Sequence, residues 1–404
     1  MRSQPLARII TAAAALTVSM SSVVSAQQVD TDNPNNLGET LLTAVVTNSL
    51  DDPRINSIIV DTARAYHAEM GGKAAEPAKP KKGKKKNQEV PRGGFIERLD
   101  RRATGAVSGQ VKETANEDTP DLLLISGGDG QTNVGISRTA SNESVFIDLG
   151  QPRPCVTETG QPDGSGECAG SANGIPSSYT AVEFAVEDGA YLAGVLAARA
   201  SRGGRLGVIS GYEGCRECQR YVEGFVNGAR RVDPEIDIVV DYIADDEVSA
   251  FGDPETARTF TEIFLDVYEP AVLMPIGRAA NIAMIEAACA HEPRPLAIGT
   301  GRAVRETHPQ LDCVMLSIVK DVPRAIREAM YDFSFKQTKR VMTYDVANGG
   351  VSITDDWAER VAWIPTDTRI DFYEPALSDI TTGRRQACPD GCGGSMPDIE
   401  EPIS

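Results

Sequence analysis

The chain has 404 residues, of which 41% are hydrophobic and 24% charged, and a formal net charge of −18. That length is enough for two lobes with separate cores, and the composition is that of a folded chain. The acidic surplus excludes general binding to nucleic acid or anionic membranes, which would repel it.

Arg2 and Arg8 give a positive start, Ile9 to Val24 is apolar and alanine-rich, and Val24-Ser25-Ala26 supplies small residues before Gln27. This layout predicts a cleaved secretory signal over 1–26. No later run approaches the roughly 20 apolar residues of a membrane span. With no cysteine near the cleavage point for lipid attachment, a mature chain free in the periplasm or medium is expected.

Leu41 to Thr47 reads as a first strand, ending in a polar cluster that runs to Pro53. Ile55, Ile58, Ile59, Thr62 and Ala63 recur at helical spacing, so a helix is expected from Arg54 to about Met70. Between 73 and 94 the pattern collapses into lysines broken by Pro77, Pro80 and Gly83, too polar to offset its ordering entropy, and a disordered insertion is expected. Asp121 to Ile125 is a buried-strand signature followed by Ser126-Gly-Gly-Asp-Gly130, and Val145 to Ile147 is another short strand.

From Tyr179 strands and helices alternate. Helices are expected at Val186–Ala200, Gln219–Val232, Pro254–Leu265 and Ala279–Ala290. Strands are expected at Leu206–Ile209, Ile236–Asp241, Ala271–Pro275 and Pro295–Ile298. Val314–Ser317 and a helix to Phe333 continue the series, which predicts parallel sheets covered on both faces. Tyr344 to Ile353, with Asn348-Gly349-Gly350 at its centre, reads as a β-hairpin. After Thr381 the chain reads as a loose end.

Eight cysteines in an exported chain favour disulfides, and proximity pairs Cys155 with Cys168, Cys215 with Cys218, Cys289 with Cys313, and Cys388 with Cys392. A zinc site joining Cys215 and Cys218 to Cys388 and Cys392 would need thiolates that an oxidising compartment removes. A thioredoxin-like role for Cys215-Arg-Glu-Cys218 lacks the rest of that pattern. Nucleophile-elbow, zinc-protease and phosphate-loop motifs are absent. No enzyme, cofactor or metal is therefore expected.

Ligands of parallel α/β sheets bind beyond the carboxyl ends of the strands. Those segments are rich in Gly, Ser, Asn and Asp, among them Asn48, Asp52, Asp129, Gly277 and Arg278, which suits a polar small molecule.

Four segments in order and spacing resemble the basic membrane protein family of ABC-importer substrate-binding proteins, which includes purine nucleoside receptors. They are Phe184 to Gly194, Leu206 to Gly211, Gly224 to Ala229 and Leu316 to Lys320. The resemblance implies a two-lobed, type I periplasmic-binding-protein-like α/β fold with a ligand cleft between the lobes. It carries over Asp52 and Asn56 from a box after the first strand whose aromatic is Ile55 here. Tyr221 stands for an aromatic facing the base, Gly277 for a glycine turn, and Lys320 for a cleft lysine. The family's ribose-binding carboxylate falls at Gly301 and is missing, with Arg302 beside it. Arg278 and Arg302, if they face the cleft, would favour an anionic ligand.

Lobe 1 is expected to comprise 37–178 and 302–339, lobe 2 to comprise 179–301 and 340–378, and 379–404 to be a disulfide-stapled tail. The expected function is capture of a nucleoside-like or small anionic solute by lobe closure, as a monomer serving an ABC permease. Alternatives on the same scaffold are a sensory receptor domain, an exported enzyme, or a degenerate member with a structural surface role.

Overall fold

A computed structural model describes residues 41–70, 94–100, 104–127, 130–140, 144–149, 174–389 and 392, with backbone alone at 100 and 104–106. The expected signal, the lysine-rich insertion, Asp129 and the Cys155/Cys168 pair lie outside these residues.

The first half alternates β1 (Thr43–Asn48), α1 (Pro53–Glu69), β2 (Phe95–Asp100), α2 (Thr104–Glu113), β3 (Leu122–Ser126), α3 (Gly130–Thr139), β4 (Val145–Leu149) and β5 (Tyr179–Phe184). The second continues with α4 (Val186–Ala200), β6 (Leu206–Ser210), α5 (Arg216–Val232), β7 (Ile238–Tyr242), α6 (Glu247–Phe251), α7 (Pro254–Tyr268), β8 (Val272–Ile276), α8 (Asn281–Ala290) and β9 (Leu296–Gly299). Then come α9 (Val304–Thr307), β10 (Val314–Lys320), α10 (Val322–Ser334), β11 (Val341–Tyr344), β12 (Val351–Ile353), α11 (Trp357–Arg360) and α12 (Glu374–Thr381).

Two six-stranded sheets result, ordered β11-β5-β4-β3-β1-β2 and β12-β10-β9-β8-β6-β7. The first is parallel throughout. The second is parallel except for β12, which runs antiparallel to β10.

Side chains alternate across a strand, so a strand covered on both faces must be apolar at every position. In β3, Leu122 and Leu124 enter one core while Leu123 and Ile125 enter another. In β8, Val272, Met274 and Ile276 face one core and Leu273 its opposite. Helix starts are fixed locally: Asp52 caps α1, accepting the Arg54 N–H at 2.8 Å with Pro53 behind it, and Asp253 caps α7 the same way. Each cap is worth about 1 kcal/mol. Among the described residues no helix is long and apolar enough to cross a membrane.

The chain passes between sheets after Phe184, after Lys320, and between Tyr344 and Val351. These points differ from the expected lobe boundaries near Ser178, Gly301 and Lys339. β5 joins the first sheet, β10 belongs to the second, and β11 returns to the first. Local apolar pattern identifies a strand but not the sheet it joins. For the same reason the expected hairpin is not one: β11 pairs with β5 and β12 with β10, so the Asn-Gly-Gly turn is a crossing.

The crossings are tied side by side by backbone bonds. Ala185 N–H donates to Tyr344 O at 2.8 Å and Asp321 N–H to Gly350 O at 2.9 Å, while Val351 N–H donates to Asp345 O at 3.0 Å and closes the third crossing on itself. Three connections lying side by side between two lobes are the arrangement about which such lobes can hinge.

Candidate functional site

Both sheets point their carboxyl ends at one cavity of about 70 Å³. The first sheet contributes Asp51, Asp52 and Ile55 after β1, Ser126 and Gly127 after β3, Leu149 and Phe184. The second contributes Glu217, Cys218 and Tyr221 of α5, Ile276 and Arg278 after β8, Thr300 and Gly301 after β9, and Lys320. A water needs roughly 10–15 Å³ on this measure, so the space holds several. A second cavity of about 520 Å³ lies where β5 and β11 end, against the tail segment from Ile380. The smaller one is lined by the carboxyl ends of inner strands of both sheets, β1, β3 and β4 from one and β8 and β9 from the other, where ligand sites of α/β sheets sit, so it is the candidate.

Charged side chains make up most of its polar wall. Arg278 lies among three carboxylates, 3.2 Å from Glu247, 3.5 Å from Asp51 and 3.8 Å from Glu217, with its guanidinium over the Phe251 ring at 4.8 Å. Its φ of 44° is left-handed, a conformation costing a non-glycine residue about 1 kcal/mol that these contacts offset. Lys320 Nζ is 2.8 Å from Glu217 Oε1 and faces the Phe184 ring. Burial opposes the Glu217 charge, but Lys320 and Arg278 outweigh it and hold the carboxyl below its usual range. For Asp51 burial wins and pushes the carboxyl up, against the pull of Arg278. Burial drives the Tyr221 phenol well above its ordinary range, so it is a neutral hydrogen-bonding group.

Among the described residues two hydrogen bonds join the lobes beside the cavity, in addition to the Arg278–Asp51 ion pair. Arg302 Nε donates to Asp52 Oδ2 at 2.6 Å, and Ala279 N–H donates to Leu50 O at 3.2 Å. Arg302 also donates to Thr307 and is 9% exposed, so it spans the lobes as a clamp.

Of the residues singled out from sequence, Asp52, Tyr221, Arg278 and Lys320 line the cavity. Arg302 stands behind Asp52. Asn48 and Asn56 instead close the turn after β1: Asn48 Oδ1 accepts the Leu50 N–H at 3.0 Å, and Asn56 Nδ2 donates to Asn48 O at 2.6 Å. Gly277 donates its N–H to Asn281 Oδ1 at 3.3 Å, and a Cβ there would meet Met284 Sδ at 2.4 Å. Gly301 lies on the wall with φ 85°, and a Cβ would lie 3.2 Å from Ile55 Cδ1. A carboxylate-bearing residue there would be strained by its backbone alone.

Asp51 and Glu217 are central, yet sequence reasoning passed over them. Asp51 reads as a solvated turn acid, and Glu217 sits inside a Cys-x-x-Cys whose cysteines draw attention first.

The structure pairs Cys215 with Cys218, Cys289 with Cys313 and Cys388 with Cys392. Among the described residues one trio, Glu223, Cys388 and Cys392, brings metal-ligating atoms within 4.8 Å of one another. Its sulfurs are bonded to each other, so it offers no thiolate.

Residues 168–363 match the family described as ABC transporter substrate-binding protein PnrA-like. That match covers just under half of the chain. The four segments that carry the resemblance lie within the match. The chain is 34% identical over 115 residues to basic membrane protein B of Borreliella burgdorferi, covering 28% of this chain and 31% of that one. It is 25% identical over 222 residues to the ABC transporter nucleoside-binding protein BmpA of Lactococcus lactis, covering 51% and 59%. It spans between 31% and 59% of the length of the curated relatives it matches. An ABC transporter solute-binding protein of Aeropyrum pernix superposes with a TM-score of 0.62 at 14% identity, covering 85% of this chain and 92% of that one. The likeness establishes the two-lobed α/β fold.

At the hinge, Asp188 in the first turn of α4 accepts the Val346 N–H from the third crossing. Burial, then the Glu187 charge, push its carboxyl up to about 7, with Asp345 adding to the rise and the Val346 N–H and Arg220 opposing it. The folded state then keeps a proton that the unfolded chain releases near pH 4. Stability accordingly falls as pH rises from about 4 to about 7. In Asp188→Asn this fall should disappear, so the difference in melting temperature between variant and parent should move in the variant's favour from pH 5 to pH 8. A pH-independent difference would count against it.

Proposed function

We propose that this chain is an exported solute-binding protein that closes its lobes on a neutral, hydroxyl-rich small molecule of nucleoside or sugar type and delivers it to an ABC permease. The observation that carries the reading is the charge balance of the cavity. Arg278 and Lys320 are each engaged by carboxylates, and Arg302 is held by Asp52.

An anion would have to displace a carboxylate already bound, leaving that group desolvated and unpaired at several kcal/mol. A hydroxyl can accept from a cation and donate to a carboxylate without breaking either charge. The paired charges therefore favour the neutral member of the two solute classes expected from sequence. Tyr221 and Phe184 add aromatic surface to the wall, and the Lactococcus relative named for nucleoside binding supports the same class.

A thermal-shift and calorimetric panel of adenosine, inosine, ribose and the 5′-monophosphates tests this. Stabilisation by at least one neutral compound, and less by its phosphorylated form, is expected. A response confined to the phosphates, or to none of the panel, would reject the reading.

A further inference from the structure

A disulfide lies in the wall of the ligand cavity. Cys215 caps α5, its Sγ accepting the Cys218 N–H at 3.2 Å, and the two sulfurs are bonded to each other. Cys218 lines the cavity. Between the two cysteines stands Glu217, bonded to Lys320 at 2.8 Å. Tyr221 follows Cys218 by three residues and so shares its helix face. The short covalent ring thus encloses one cavity residue and adjoins another.

The first N–H groups of a helix have no partner within it, and the opening turn frays unless something holds it. Here the holder is the Cys215–Cys218 bond together with the sulfur cap. Breaking it frees the turn that carries Glu217. Lys320 would then keep its buried position without its partner.

Access is controlled by the lobes. Cys215 is 2% exposed and Cys218 1%, and Cys218 faces the cavity between the lobes. A reductant reaches the bond once the lobes part. The other two described disulfides are placed differently: Cys313 packs in the outer core of the second lobe, and Cys388 and Cys392 line the hinge-side cavity.

We propose that the Cys215–Cys218 disulfide is a redox lock on the ligand cavity. Oxidised, it fixes Glu217 and Tyr221 in the wall; reduced by a dithiol that enters the open cleft, it releases the first turn of α5 and weakens ligand capture. In the exchange, one thiolate of the dithiol attacks a sulfur of the bond and forms a mixed disulfide. Its second thiolate then displaces the protein sulfur. Two electrons and two protons pass to Cys215 and Cys218, and the reductant leaves as a cyclic disulfide. If reduction weakens ligand capture, linkage requires bound ligand to make the disulfide harder to reduce by the same factor. The consequence for ligand rests on the solute-binding reading; control of access by the lobes does not.

Two measurements on the purified full protein test it. In the first, dithiothreitol reduction is followed by alkylation and mass spectrometry in the wild type and in Arg302→Ala, which severs the clamp to Asp52. Cys215 and Cys218 should label about fivefold faster in the variant, with Cys289 and Cys313 serving as the internal reference for general loosening. Equal rates relative to that reference would overturn control of access.

In the second, inosine is titrated into oxidised and fully reduced protein. Affinity should fall about tenfold on reduction. Cys215→Ser/Cys218→Ser should bind like the reduced form and ignore the dithiol. Unchanged affinity after complete reduction overturns the lock, and the reduced wild type carries this test if the double variant fails to fold. If the oxidised protein binds none of the panel, the solute-binding reading fails, and the labelling rates still decide whether the lobes guard the bond.

Discussion

Arg278→Met should destabilise the protein by about 3 kcal/mol at pH 7, and most of that deficit should vanish on acidification. Methionine keeps much of the arginine's length and fills the same space, so the loss is electrostatic rather than a cavity. What remains is Asp51, Glu217 and Glu247 around a single cation, Lys320, where wild type has two. The figure is placed at the low end of the range for breaking buried pairs because these side chains keep 13–17% of their surface.

The sign of the pH effect separates this account from lost packing. In the wild type the Glu217 carboxyl is held below its usual range. Its contribution is present above the unfolded value near pH 4.3 and is lost as pH falls through the lower folded value. Without Arg278 the carboxylates crowd one another, and the folded values of Asp51 and Glu217, both of which Arg278 lowers, rise. The variant then loses stability as pH increases through that higher range. Urea unfolding at pH 7 and pH 4 should show a wide gap at the first and a narrow one at the second. A gap of equal size at both would mean that the guanidinium contributes through its stacking on Phe251 instead.

How much of this was legible beforehand depends on what each element is made of. β3 announced itself because both of its faces are buried and Leu122 to Ile125 are apolar without a break. α1 did so because its stripe, its proline and its cap agree. β2 gave no comparable signal: as the edge strand of the first sheet it carries Glu97 and an exposed Leu99 among its apolar positions. The crossing after β11 was misread because turn chemistry is local, whereas the partner of a strand is not. Nothing in Val351-Ser-Ile353 records that it pairs with Lys320 rather than with Tyr344.

The site divides along the same line. Arg278 could be found because it follows a strand, where the fold puts its ligands, and Lys320 because the family resemblance carries a cleft lysine to that position. Asn48 and Asn56 are polar and lie by the same strand end, but Asn48 Oδ1 and Asn56 Nδ2 are bonded into the turn itself. Residue type cannot tell these two uses apart. Glu217 lay deeper, because its importance comes from α5 being set against the mouth of the cavity, and that placement depends on how α5 packs on α4.

That packing leads to the second large effect. Gly228→Ala should destabilise the protein by about 3 kcal/mol or more and weaken ligand binding as well, although Gly228 is not on the cavity wall. A Cβ at Gly228 would lie 1.9 Å from the carbonyl oxygen of Tyr191. At Gly224 it would lie 2.3 Å from that of Glu187, and at Gly194, 2.1 Å from that of Phe225. In each case the obstacle is backbone on the other helix, so no rotamer change can relieve it and the helices must separate.

Alanine ordinarily favours a helix over glycine by about 1 kcal/mol, which makes the expected loss diagnostic of contact rather than propensity. Separation would carry Tyr221 and Glu217 with it, since both ride on α5. Urea unfolding and inosine titration of Gly228→Ala should therefore both worsen. Gly203→Ala, at a helix end with open space around its Cβ, should leave binding unchanged and cost only the strain of its left-handed backbone. Should Gly228→Ala lose stability but bind as wild type, α5 would be holding the cavity residues in place without help from its contact with α4. The glycines of the Phe184–Gly194 and Gly224–Ala229 segments would then matter for stability alone.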